Sequence, residues 1–268
     1  MTILRGPGQR AFGMFGTVGV IGLGNFGGFL FRHLQTDLSM MFTGLYGFDP
    51  DPTKGSNCRF IHAATCDFIF LCVPIPAFED VVKQLLPVMK KGAVLIDVST
   101  VKKHPVEVLQ RLAMNARVWW IPTHPLFGPE SFAANGNSLK GLPLVVCEEA
   151  LAEPALMQMA YDLFVRGSGL KLFFMSADEH DKTIGVDQFV IQYFGRCIED
   201  VEGWGEGLRV QTYSSSLFHK AMRLMKGDEK LFWWVYEYNP HCRAIVQRIE
   251  DNVLKMRERR NGHPHVVA

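Results

Sequence analysis

His124 stands between two prolines in Ile121-Pro-Thr-His-Pro-Leu-Phe-Gly-Pro-Glu-Ser131. An imidazole titrates near neutral pH, so a histidine held in place is suited to take a proton from a substrate hydroxyl. Far upstream, Gly22-Leu23-Gly24-Asn25-Phe26-Gly27 has the G-x-G-x-x-G spacing of a dinucleotide turn. In such a turn the first glycine permits the tight bend and the second lets backbone approach a pyrophosphate. The third lets helix pack closely on strand, and the helix N-terminus favours the negative charge. Asp49 follows Gly27 at the interval where an acidic side chain bonds a ribose 2′-hydroxyl and repels a 2′-phosphate, which favours NAD. Lys54 and Arg59 stand nearby and leave NADP open. A base beside a nicotinamide site implies hydride chemistry at a hydroxyl carbon. The residues alone also admit a ligand-free glycine turn and a structural histidine.

The elements that would position these groups alternate. Thr17 to Ile21, Thr43 to Phe48, Asp67 to Val73, Ala93 to Ile96, Trp119 to Ile121, Leu142 to Cys147 and Leu170 to Met175 read as strands. Helices are expected after Phe26, over Phe78 to Met89 and over 152 to 165. Alternation of this kind predicts a Rossmann-type, doubly wound parallel sheet, whose strand ends share one crevice. Val73 and Pro74, then Asp97-Val-Ser99-Thr100-Val-Lys102, then His124 to Ser131 fall at successive strand ends. The cofactor-binding set is therefore Gly22, Leu23, Gly24, Asn25, Phe26, Gly27, Asp49, Val73 and Pro74.

From Ser176 the pattern is helical to Arg260. Ser176 and Glu179 have the spacing of a capping box, and Pro240 is expected to divide the last long segment. The division predicted is a flexible arm over 1–16, a dinucleotide-binding domain over 17–176, a helical substrate and dimerisation domain over 177–260, and a tail over 261–268. Phe232, Trp233, Trp234, Tyr236 and Tyr238 are more aromatics than so small a domain is expected to bury, which suggests a homodimer through it. A net charge of +1 gives no basic surface for nucleic acid. The six scattered cysteines lack metal-ligand or disulfide spacing, so no metal site is expected and a cytoplasmic, reducing compartment fits. No apolar run is long enough to span a bilayer.

With these pieces in place the chain resembles the prephenate/arogenate dehydrogenase family, in phrasing closest to the plant-type arogenate branch. The likeness rests on Val18 to Gly27, Asp97-Val-Ser-Thr-Val-Lys102, Thr123-His-Pro-Leu-Phe-Gly-Pro-Glu-Ser131, Gly141-Leu-Pro143 and Ala177-Asp-Glu-His-Asp181. The resemblance implies NAD-dependent oxidative decarboxylation of a cyclohexadienol in tyrosine biosynthesis. It implies that His124 takes the C4 hydroxyl proton and that Thr100, or Ser99 in its stead, orients either His124 or the nicotinamide side of the site. It places Glu130 at the pocket mouth, counts Ser131 among the substrate-binding residues, and sets Arg223 against a substrate carboxylate. It also exposes a departure. Gln192 stands where many members have histidine, and Gln188 shares its helix face. His180 and Asp181, in the first turn of their helix, read as packing and capping groups.

Overall fold

The computed structural model describes residues 15–36, 41–150, 154–199, 212–225 and 228–261. They form two compact units, which are taken one at a time. The first comprises residues up to Thr100 together with Pro105–Met175, and the second comprises Val101–His104 and everything from Ser176 onward. Most of the arm expected over 1–16 lies outside the described residues, and Phe15 and Gly16 already belong to the first strand. Of the expected tail, Asn261 ends the last helix and the rest lies outside.

The first unit is a seven-stranded sheet in the order β2-β1-β3-β4-β5-β6-β7. Its strands are β1 (Phe15–Ile21), β2 (Phe42–Phe48), β3 (Phe68–Leu71), β4 (Val94–Asp97), β5 (Trp119–Pro125), β6 (Pro143–Cys147) and β7 (Lys171–Met175). The helices between them are α1 (Asn25–Thr36), α2 (Phe60–Ala64), α3 (Phe78–Leu85), α4 (Lys103–Ala113, whose first two residues belong to the second unit), α5 (Pro129–Ala134) and α6 (Pro154–Ala160). Strand alternation sorts the core. Val18, Val20, Phe70 and Ile96 face a cluster that includes Phe29, Leu34 and Leu163, while Ile69, Leu71 and Leu95 face Phe78, Val82, Leu85 and Leu109. Both faces are thus covered, which explains why β3 and β4 are apolar at nearly every position.

β1 to β5 run parallel, but β6 is antiparallel to β5, so the sheet is mostly rather than wholly parallel. The cause is the connection. It folds back as soon as β5 ends, with the Leu126 N–H donating to the Pro143 carbonyl at 3.0 Å, and the returning strand must pair head to tail. The β5 strand is also longer than its prolines suggest, running through His124 to Pro125.

The second unit is helical. Ser176 caps α7 (Ala177–Ile184), its hydroxyl accepting the Glu179 N–H at 3.1 Å. A π-helical turn, Gly185–Phe189, leads into α8 (Val190–Glu199). Then come α9 (Tyr213–Met225), α10 (Glu229–Tyr238) and α11 (Cys242–Asn261), with Pro240 between the last two. Of the aromatics expected at the surface, Phe232 is core instead. It is 2 % exposed and stacks on Phe189 at 5.1 Å, whereas Trp233 is 53 % exposed. Among the described residues, no helix is long and apolar enough to cross a membrane.

Candidate active site

The glycine turn follows β1 at the point where strand order reverses, between β1 and β3. Gly22 has φ +90°, and a Cβ there would meet the Cys72 carbonyl oxygen at 2.5 Å. A Cβ on Gly27 would collide with the Gly22 carbonyl oxygen at 1.9 Å, so α1 rests directly on the turn. A Cβ on Gly24 would have no atom within 4 Å. The middle glycine faces open space while the outer two are crowded, as expected if a ligand approaches backbone at Gly24. Leu23, Asn25 and Phe26 complete the turn, and Asn25 opens α1, so its first N–H groups point outward.

Asp49 closes β2. One carboxylate oxygen accepts the Leu23 N–H at 2.7 Å and the other accepts the Asp51 N–H at 2.9 Å. The acid is thereby held against the glycine turn. Lys54 and Arg59 are both exposed. Val73 and Pro74 follow β3, with Pro74 capping a short turn over Ile75–Ala77. Cys72, behind the turn, is kept a neutral thiol by burial and, secondarily, by the Asp97 carboxylate. These residues fit NAD: an open backbone cradle at a helix N-terminus with an acid beside it.

The end of β4 holds the next group. Asp97 is fully buried, and one of its oxygens accepts both the Ser99 N–H, at 2.9 Å, and the Ser99 hydroxyl, at 2.6 Å. Ser99 is buried and its proton is committed. Thr100 is half-buried, and its hydroxyl has no hydrogen-bond partner among the described residues. Of the two candidates, Thr100 is the one whose proton remains available.

His124 lies in β5, opposite Val145 of β6, and is 6 % exposed. The neighbouring Thr123 hydroxyl donates to the Asp97 carbonyl at 2.7 Å, clipping the end of β5 to the end of β4. Sequence reasoning placed Asp97 and Thr123 at the head of two strand-end motifs but gave neither a role. An Asp two residues before a Ser is a turn signal that marks Asp97, but Thr123 has no such sign. Beyond the strand, Ser131 in α5 accepts the Gly128 N–H at 2.8 Å and so closes its own turn. Glu130 beside it is exposed.

In the helical unit, Gln188 sits in the π turn and Gln192 one turn on, both half-buried and without hydrogen-bond partners among the described residues. π turns are frequent at functional sites, because the extra residue re-aims the side chains that follow. Arg223 falls in α9, and its side chain lies outside the described residues. Asp181, expected only to cap, is wholly buried. It accepts the backbone N–H of Lys102 at 2.7 Å and of Lys103 at 2.9 Å, and pairs with His180 Nδ1 at 2.8 Å.

Residues 54–170 match the family described as prephenate dehydrogenase, nucleotide-binding domain. Chloroplastic arogenate dehydrogenase 2 of Arabidopsis thaliana is 26% identical over 244 residues, covering 87% of this chain and 66% of that protein. The chain belongs to the prephenate/arogenate dehydrogenase family. Chloroplastic arogenate dehydrogenase 1 of the same plant is also 26% identical, and there the match spans 86% of this chain but only 37% of the relative. The chain thus spans from about a third to about two thirds of the length of these relatives. Among solved structures, prephenate dehydrogenase from A. aeolicus, in complex with hydroxyphenyl propionate and NAD+, has the same fold. It is 18% identical with a TM-score of 0.70, covering 96% of this chain and 95% of that one. Synechocystis arogenate dehydrogenase aligns at 20% identity with a TM-score of 0.63, covering 90% of each chain.

Proposed function

We propose that the chain oxidatively decarboxylates prephenate, arogenate or both, with NAD as acceptor, yielding 4-hydroxyphenylpyruvate or tyrosine. The observation that carries this reading is His124 at the carboxyl end of β5, clipped through Thr123 to the strand end that presents Thr100. Across the sheet edge the strand ends run in the order Asp49, glycine turn, Pro74, Thr100, His124. A ribose at Asp49 and a proton acceptor at His124 are thus at opposite ends of one row. NADP remains a second acceptor to be tested, since Lys54 and Arg59 follow Asp49.

When bound, NAD supplies the site that receives a hydride. The protein's part is to prepare the donor carbon. His124 takes the C4 hydroxyl proton as the C4–H bond gives up its electron pair, because a more alkoxide-like oxygen releases hydride more readily. The C1–carboxylate bond then breaks, CO₂ leaves, and its electron pair enters the ring, which becomes aromatic. The proton held on His124 returns to the new phenolate oxygen. Thr100 orients the imidazole or the reacting carbon. Gln188 and Gln192 offer carboxamide donors to the substrate's carboxylate but no charge, and Arg223 supplies the cation.

The free cysteines suit a reducing compartment, and the cytoplasm is the one this reading assigns. A homodimer through the helical unit is part of the same proposal. It is supported by Trp233, Leu217, Val253 and Leu254, each at least half exposed. Size-exclusion chromatography with light scattering reads the mass directly, and a monomer at micromolar concentration removes the dimer.

The test of function is NADH formation at 340 nm (roughly, the reduced nicotinamide band), with prephenate and arogenate side by side and NADP⁺ in parallel. Turnover of either supports the reading, and the faster one identifies the substrate. Tight NAD binding without turnover of either overturns it.

A further inference from the structure

The segment Val101–His104 leaves the sheet unit and is grouped with the helical unit, four residues after β4. Its anchor there is Asp181, whose carboxylate has no exposure and binds two successive backbone N–H groups 78 and 79 residues away in sequence. Those N–H groups open α4, where a helix lacks internal acceptors, so Asp181 serves as an N-cap supplied from another element. The same carboxylate accepts from His180 Nδ1, which fixes that ring with its proton on Nδ1. Asp181 is itself held, because its carbonyl accepts from Asn239 Nδ2 at 2.7 Å, and Asn239 is 1 % exposed.

The loop Ser99-Thr100-Val101 is therefore pinned at both ends by buried carboxylates. Asp97 ties its start through Ser99, and Asp181 ties its finish through Lys102 and Lys103. Between the two pins, the Thr100 hydroxyl has no hydrogen-bond partner among the described residues. We propose that Asp181 is a positioning residue for Thr100. By holding two backbone N–H groups of the loop, it sets where that hydroxyl lies relative to the reacting carbon. The proposal rests on Thr100 acting in the hydride step described above.

The backbone bond can be removed without touching Asp181. Lys103 is the first residue of α4, where proline is well tolerated and its missing N–H is not needed within the helix. Lys103→Pro deletes one N–H that Asp181 binds, and Lys103→Ala controls for loss of the side chain. The expected result is a fall in kcat of tenfold or more for Lys103→Pro relative to Lys103→Ala, with NAD affinity within about twofold. In a Thr100→Val background the same change should cost less than about threefold, since a residue that acts through Thr100 has nothing further to position. Equal kcat for the proline and alanine variants, or an equal loss in both backgrounds, overturns the proposal.

Amide hydrogen exchange gives a readout that does not depend on substrate. Lys103→Pro and Asp181→Asn should each speed exchange at Ser99, Thr100 and Lys102 tenfold or more over Lys103→Ala, with Gly22–Gly28 unchanged. Unchanged exchange in the loop overturns the positioning whatever the turnover. A wild type that oxidises neither prephenate nor arogenate, yet shows this exchange difference, defeats the substrate reading and leaves the positioning in place.

Discussion

Replacing His124 by Asn keeps a planar donor of similar reach and removes the base. Turnover should fall by about a hundredfold or more, the low end of what a positioned general base contributes, while NAD binding holds. Steady-state rates beside a cofactor titration separate the two, and unchanged turnover removes His124 from the chemistry. Asp49→Asn makes a sharper cofactor test than alanine. The amide oxygen can still accept the Leu23 N–H, so the glycine turn survives, but the charge that repels a 2′-phosphate is gone. NAD should bind several-fold more weakly and the gap to NADP should narrow. An unaltered preference would mean that the acid only braces the turn. At this scale the spacing of Gly22, Gly24, Gly27 and Asp49 was legible, because each role depends on local backbone. The Thr123–Asp97 bond was not. It joins residues 26 apart, and only strand register brings them together.

Asp178 shows how an element's first turn responds to acid. The hydrogen bond from Lys103 Nζ at 2.9 Å, with the charges of Lys103 and His241, holds its carboxyl below the ordinary 3.8. A lowered carboxylate pKa adds stability above the unfolded value, and that stability is lost as pH falls through the folded value. Asp178→Asn should therefore melt below wild type near neutrality and converge with it below about pH 3.8, a pattern thermal melts across pH would reveal. In α10, Phe232→Ala removes a ring stacked on Phe189 and covered by the Arg196 guanidinium at 4.1 Å. A loss of about 3–5 kcal/mol is expected in denaturant unfolding, and under about 1 kcal/mol would mean the ring is not core. All seven strands could be read from apolar runs and turn residues. The length of β5 could not, because Pro122 and Pro125 resemble strand stops. The direction of β6 could not either, since an apolar run carries no polarity.

Across the whole chain, the thiols report on burial. Burial pushes Cys66 up to about 11 and Cys242 up to about 12, and it raises Cys58 and Cys72 as well. Cys147 is buried, and Cys197 is exposed. A chromogenic disulfide reagent at mildly alkaline pH should find one fast thiol per native chain, and Cys197→Ser should abolish that phase. Second and third fast thiols would be Cys58 and Cys72, which are only partly buried, and four or more would show that the core opens readily. The path of the chain through Val101–His104 bears on modularity. A cut at the Met175–Ser176 junction would separate two stretches of sequence but not two self-sufficient pieces. The C-terminal fragment would carry Asp181 with the backbone donors of Lys102 and Lys103 left behind, a buried charge stripped of its solvation. The helical unit is thus not a cassette that recombination can append to any nucleotide-binding half. It can be inherited only together with a loop that its neighbour encodes.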